Sequence, residues 1–187
     1  MFNRKLDDDT LIRSYNIDDA PALYEVLKRE PEHLLVWLPW PDADKSLGDR
    51  REFIRGCIQQ ESDGDGFRTG IFHRGELAGS VGFHDIGRAN RSTSIGYWLA
   101  AKHQRKGIMT RACEALVDHA LLELKLNRVE TRCASENTRS RAIPERLGFT
   151  REGVLRQVQL LHDRYVDHVV YSMLVEQSRE IRSPEGA

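Results

Sequence analysis

The segment RSTSIGYWLA, from Arg91 to Ala100, alternates polar with apolar positions, the two-residue period of a half-buried strand. Shortly beyond it the period lengthens. Between Gly107 and Leu124 the residues Ile108, Ala112, Cys113, Leu116, Val117, Ala120, Leu121 and Leu124 recur at helical spacing, while Arg111, Glu114, Asp118 and Glu123 face away; this predicts an amphipathic helix. The strand RVETRCAS follows, so the three elements predict a parallel pair with a right-handed crossover. Upstream, FRTGIFH and LAGSVGFHDI flank the turn RGE as a hairpin. Earlier still come a strand from Thr10 to Tyr15 and a helix over NIDDAPALYEVLKRE, capped by Asp18 or Asp19 with Pro21 in its first turn. PEHLLVWLPWPD then predicts a short helix or turn, and a helix runs from about Leu47 to Gln60, ended by SDGDG. Downstream, SRAIPERLGF reads as a short helix closed by Gly148, and REGVLRQVQLL and YVDHVVYSMLV as long strands turning at HDR. The order gives a mixed α/β fold with antiparallel parts. The polar tail SREIRSPEGA is expected to fray.

Composition narrows the function classes. The 187 residues suffice for one domain with a core, and 40% hydrophobic with 30% charged residues is a globular balance. A net charge of -1 gives no general attraction to nucleic acid or an anionic membrane. No apolar run is long enough to span a bilayer, and MFNRKLDDDT has no apolar signal region, so a cytoplasmic location is expected. Cys57, Cys113 and Cys133 are odd in number and not closely spaced, which favours reduced packing residues over a disulfide or zinc site.

The chemistry concentrates where the alternating strand gives way to the helix, at HQRKGIMT. A helix start leaves backbone N–H groups unpaired at the positive end of the helix dipole. Gly107 clears the approach, and Arg105 and Lys106 add charge, so a phosphate group suits the junction. The alternative is a tight turn with solvated basic residues. Neither a G-x-x-x-x-G-K-S/T run nor a G-x-G-x-x-G fingerprint is present there, which argues against a P-loop or a Rossmann cofactor.

The run QRKGIM, Gln104 to Met109, resembles the Q/R-x-x-G-x-G/A pyrophosphate motif of the GNAT acetyltransferases. Together with GFHDI, IGYWLAAKHQRKGIMT, ENTRSRAIPERLGF, and REGVLR followed by YVDHVVYSML, it resembles the branch of ribosomal-protein N-terminal acetyltransferases that modify serine or alanine. The resemblance covers residues 10–176 as one domain and leaves 177–187 as a tail. It implies a splayed mixed sheet flanked by helices, with acetyl-CoA in the opening between RSTSIGYWLA and RVETRCAS and no metal. On this sequence it places the pantetheine arm against the backbone of Trp98, Leu99 and Ala100. The pyrophosphate falls on Gln104, Arg105, Lys106, Gly107, Ile108, Met109 and Thr110, although Met109 stands where the general motif has Gly or Ala. Asn137 would contact pantetheine or a water, and Ser140 would sit near the thioester sulfur and protonate the leaving thiolate. The resemblance also admits a homodimer.

Members of that branch often carry glutamates where this chain has Ser94 and Gln159, so neither position supplies a carboxylate base. His84 is then the best remaining base, or else a structural histidine; His162 and His168 are weaker candidates. The oxyanion donor is expected at the backbone N–H near Leu99. Ser140 could alternatively cap the short helix. Trp37, Trp40, Tyr165 and Gln159 are candidate acceptor-side residues, with Trp37 read equally as a hydrophobic plug. An α-amine with pKa about 7.7–8.0 is roughly a tenth neutral at pH 7, whereas a lysine amine near about 10.4 is neutral to only about four parts in ten thousand. A site without a strong base therefore suits a protein α-amine. Two other readings stand. One is a small-amine acetyltransferase using Asp42, Asp44, Glu61, Asp63 and Asp65 as an acidic pocket. The other is a CoA-binding sensor without turnover.

Overall fold

The structure, a computed structural model, describes residues 1–29, 34–39 and 45–182. Its strands are β1 (Asn3–Lys5), β2 (Thr10–Ser14), β3 (Phe67–His73), β4 (Glu76–Gly87), β5 (Ser92–Leu99), β6 (Arg128–Ala134), β7 (Thr150–Leu161) and β8 (Arg164–Leu174). The helices are α1 (Ala20–Arg29), α2 (Leu47–Asp63), α3 (Ile108–Asp118), α4 (Thr138–Arg146) and α5 (Val175–Arg182).

Local chemistry sets most boundaries. The cap before α1 is Asn16, not Asp18 or Asp19: its side chain accepts from the Asp18 N–H at 2.9 Å, and the Asp19 carboxylate accepts from the Asn16 N–H at 2.8 Å. Ser46 and Asp49 form the same reciprocal box at the start of α2, which runs beyond Gln60 to Gly64 at φ +73°. Arg74 and Gly75, both with positive φ, make the tight turn between β3 and β4. Of PEHLLVWLPWPD only residues 34–39 are described; there the Leu38 N–H meets the Leu34 carbonyl at 2.9 Å.

The strands form one sheet in the order β1-β2-β3-β4-β5-β6-β8-β7. Among the described residues only β5 and β6 pair in parallel, as the crossover predicts. Each face carries a core. Ile12, Ile71, Phe83, Ile95, Ile108, Leu116 and Val129 pack beneath α3, and Tyr15, Leu23, Leu27, Ile54, Leu77 and Trp98 beneath α1 and α2. Each such fully buried side chain contributes about 1.5–3 kcal/mol. Along β5, therefore, Ile95, Tyr97 and Leu99 face α3, while Ser94, Gly96 and Trp98 face α1 and α2.

Three further expectations are revised. The helix from Gly107 is α-helical only to Asp118 and continues as a π-type turn over His119–Glu123, which sets the His119 ring 4.9 Å from Phe2 and 5.7 Å from Phe67. The folded unit also reaches past residues 10–176: β1 pairs with β2, and Phe2 is buried. Finally, the segment expected to fray is helical to Arg182. Ser178 is buried, Gln177 Nε2 donates to the Gly148 carbonyl at 2.6 Å, and Arg182 pairs with Asp118.

Candidate active site

The parallel pairing of β5 with β6 lasts only from Ser92–Arg128 to Ser94–Glu130. Farther on, β5 stays with β4 as far as Leu99–Gly79, and β6 stays with β8 as far as Ala134–His168. The sheet thus forks. At the vertex the buried Thr131 hydroxyl donates to the Ile95 carbonyl at 3.1 Å, satisfying the first backbone group that loses its strand partner. Ladder alternation decides which groups face the opening. The Ala100 N–H is bound to the Ala78 carbonyl at 2.9 Å, so the backbone groups of Ala100 and Trp98 point to β4, and those of Tyr97 and Leu99 point into the fork. The backbone of Trp98 and Ala100, expected to meet pantetheine, is thus taken up by β4; Leu99 and Tyr97 are the residues whose backbone faces the fork, and the Trp98 side chain belongs to the core. The Leu99 carbonyl accepts from Gln104 Nε2 at 3.3 Å, consistent with its direction.

At the mouth of the fork, Arg105 and Gly107 both adopt left-handed backbone, with φ +61° and +70°. The Arg111 N–H makes the first helical bond, to the Gly107 carbonyl at 3.1 Å, so the N–H groups of Ile108, Met109 and Thr110 have no intrahelical acceptor. The side chains of Ile108 and Met109 are buried. Methionine at the Gly/Ala position therefore leaves the loop open, because its side chain turns into the core and only its backbone faces the helix start. Alternating left-handed residues before a helix start form a concavity of N–H groups that fits a diphosphate. Arg111, read from its spacing as facing away, anchors the loop by donating to Asp7 at 2.8 Å and to the Lys106 carbonyl at 3.2 Å. Two cations that the sequence reading missed reach the loop from α4. Arg139 Nη1 donates to Gln104 Oε1 at 3.3 Å, and Arg146 Nη1 to the Thr110 hydroxyl at 3.1 Å. Their seven-residue spacing, which puts both on one helix face, was the available signal.

Inside the fork, Ser140 Oγ donates to the Tyr97 hydroxyl at 3.2 Å and approaches Cys133 Sγ at 3.3 Å, while Tyr97 donates to the Ser140 carbonyl at 3.0 Å. Burial pushes the Tyr97 phenol well above its ordinary pKa, so it keeps its proton. The cap of α4 is Asn137, which accepts from the Ser140 N–H at 3.0 Å; Ser140 sits in the first turn, so its hydroxyl is not spent on capping and meets Tyr97 and Cys133 instead.

His84 lies on the other face. Two residues of β4, His84 and Asp85, stand against Ser94 alone, a bulge that re-aims the imidazole. Its ring lies over Gly96: a Cβ at that position would come 2.2 Å from His84 Nε2. Partial desolvation and the nearby Arg68 hold the imidazole below its ordinary pKa, hence neutral at pH 7. A carboxylate does stand by the vertex, though not at Ser94: it is Glu130, register partner of Ser94. Burial would raise its pKa, but hydrogen bonds from Arg128 and Arg132 at 2.8 and 2.7 Å outweigh that and keep it below the carboxylate norm. Such an ion-paired carboxylate is a poor proton acceptor.

The acceptor-side candidates scatter. Gln159 Oε1 accepts from His168 Nε2 at 2.7 Å, so both are engaged with each other. His162 Nε2 donates to the Leu35 carbonyl at 2.7 Å, tying the β7–β8 tip to the 34–39 segment. Tyr165 is exposed on that hairpin, and Trp37 is half-buried while Leu34 and Leu38 pack on the α1/α2 core. Trp40, Asp42 and Asp44 lie outside the described residues. Glu61 accepts from the Phe2 N–H and the Ser14 hydroxyl, and Asp63 from Gln59, so neither is a free pocket carboxylate. Among the described residues no trio of His, Cys, Asp or Glu is placed to hold a metal, and no helix is long and apolar enough to cross a membrane.

Comparison with known proteins agrees with this geometry. Residues 9–150 match the acetyltransferase (GNAT) domain family. The chain is 36% identical to YdaF of Bacillus subtilis across 93% of its own length and 96% of that protein's. It is 32% identical to the ribosomal-protein-serine acetyltransferase of Escherichia coli, covering 82% of this chain and 86% of that one. A coenzyme A complex of a ribosomal L7/L12 α-N-protein acetyltransferase superposes with a TM-score of 0.89 at 27% identity, over 94% of this chain and 99% of that one. A microcin C7 self-immunity acetyltransferase, solved with acetyl-CoA and AMP, superposes at 0.86 with 28% identity, over 91% and 94%. The forked sheet, the backbone cradle at its mouth and these matches together make the chain a member of the GNAT family, an N-acetyltransferase that uses acetyl-CoA.

Proposed function

We propose that the acceptor is a protein N-terminal α-amine, that of a ribosomal protein, acetylated by direct transfer in a ternary complex. The observation that carries this is the character of the available bases: a neutral His84 seated over Gly96, and, on the far side of β5, a Glu130 held ion-paired by two arginines. A weak base suffices for an amine already roughly a tenth neutral at pH 7 and fails for a lysine amine. The names of two relatives, a ribosomal-protein-serine acetyltransferase and an L7/L12 α-N-protein acetyltransferase, point the same way.

Acetyl-CoA supplies the activated acyl group. The N–H groups of Ile108, Met109 and Thr110, with Arg105, Lys106 and Gly107, hold its diphosphate; Gln104 and Asn137 line the pantetheine path. The fork-facing N–H of Leu99 stabilises the oxyanion. His84 takes the amine proton, directly or through water, and Ser140, hydrogen-bonded to Tyr97, returns a proton to the sulfur. Holding both reactants in the fork supplies much of the rate. The test is mass spectrometry of purified ribosomal proteins after incubation with enzyme and acetyl-CoA. An acetyl group on an N-terminal residue is expected; acetyl groups confined to lysine side chains would overturn the proposal.

The small-amine reading keeps one supporting observation, the acetyl-CoA and AMP complex of the microcin acetyltransferase, whose fold this chain shares. Its polyamine form is weakened because Glu61 and Asp63 are engaged within the structure.

A further inference from the structure

We infer that Arg139 and Arg146 form a side-chain wall of the diphosphate cradle and make cosubstrate selection depend on phosphate charge. Both guanidinium groups reach from α4 to the two ends of the loop, Arg139 at Gln104 and Arg146 at Thr110. They bracket the segment whose backbone N–H groups lack acceptors. Both side chains are exposed, and their acceptors at the loop, an amide oxygen and a hydroxyl, are neutral and lie at 3.3 and 3.1 Å. Such bonds are weak beside a charge-assisted guanidinium–phosphate contact, so exchanging one for the other is favourable. The contrast with Arg111 is informative: it is just as close to the loop but is already paired with Asp7, and so is structural.

Gln104 links the two ends of this arrangement. It donates to the Leu99 carbonyl and accepts from Arg139, bridging the mouth of the fork. When Arg139 turns to phosphate, that bridge opens on the side where the pantetheine arm must pass. Phosphate recognition and access to the Leu99 backbone are therefore coupled through one side chain.

The inference rests on the cradle reading, and the experiment separates the two. Dissociation constants for acetyl-CoA and for S-acetylpantetheine, which lacks every phosphate, are measured by calorimetry on the wild-type chain and on the Arg139→Gln/Arg146→Gln double variant. The wild type is expected to prefer acetyl-CoA strongly. The double variant is expected to lose about tenfold per arginine toward acetyl-CoA, the effect of one charge-assisted hydrogen bond. Its affinity for S-acetylpantetheine should not fall, and a far-ultraviolet circular dichroism spectrum and thermal melt matching the wild type show that it is folded. If the wild type does not prefer the phosphorylated donor, the cradle reading itself falls. If it does, and the double variant keeps the full preference or weakens equally toward both donors, the role of the two arginines is overturned while the cradle stands.

Discussion

At the scale of single residues, Gly96 and His84 act as one unit. The glycine is required by space rather than by backbone angle, because a methyl group there would overlap the imidazole. Gly96→Ala should displace the ring and lower kcat/KM about a hundredfold, as should His84→Gln, with acetyl-CoA affinity unchanged in both. The two substitutions should also be non-additive, since each acts on the same imidazole. Steady-state kinetics with an N-terminal peptide checks this; a fully active Gly96→Ala enzyme would contradict it. Asn137→Ala removes the cap of α4 and should cost about 1 kcal/mol in urea unfolding. The place of His84 near the end of a strand was legible in the sequence from GFHDI. The part played by Gly96 was not: the bulge that brings the ring across it is a cross-strand register event, invisible in either strand alone.

At the scale of elements, ladder parity and helix length decide what the fork offers. The alternation in RSTSIGYWLA fixed which side chains meet which helix, yet side-chain alternation does not say which strand edge the backbone faces. One bond, from the Ala100 N–H to Ala78, settles that and turns the backbone of Tyr97 and Leu99 to the fork. The C-terminal helix was hidden for a different reason: its sequence is nearly all polar, and its stabilising contacts are long-range. Gln177 binds the Gly148 carbonyl, Ser178 is buried, and Arg182 pairs with Asp118. Deleting the residues after Leu174 should therefore cost about 2 kcal/mol, the loss of two tertiary hydrogen bonds, instead of being neutral as a frayed tail would be. A thermal melt showing no change in Tm would contradict the docking of this helix.

At the scale of the whole molecule, stability should depend on pH through histidines. Burial, aided by nearby cations, depresses the pKa of His84, His103 and His168. His103 is the most enclosed: neither ring nitrogen has a hydrogen-bond partner among the described residues, and Lys102, Lys106, His73 and Glu76 surround it. Each of these histidines binds a proton more readily in the unfolded chain, whose pKa is about 6.5, so their contribution is present above that pH and lost as pH falls through it. The depressed carboxylates, such as Glu152 at about 2, respond only at more acidic pH. The Tm should thus drop between pH 7.5 and 5.5, and His103→Gln should flatten that drop. The fold and the glycine-led start of α3 were readable in advance because Gly107 and the switch of period are local signals. The fork's inner chemistry was less so, because Glu130 lies one strand away from Ser94 and its two arginine partners are fixed only by folding. The central claim, transfer to an α-amine by a site with a weak base, is tested most directly by thiol release from acetyl-CoA. The acceptors are peptides beginning with Ser, Ala or Thr, the same peptides with blocked N-termini and a free lysine, and spermidine or an aminoglycoside. Release with free N-termini alone is the predicted result; release with blocked peptides or small amines, and none with free N-termini, would contradict it.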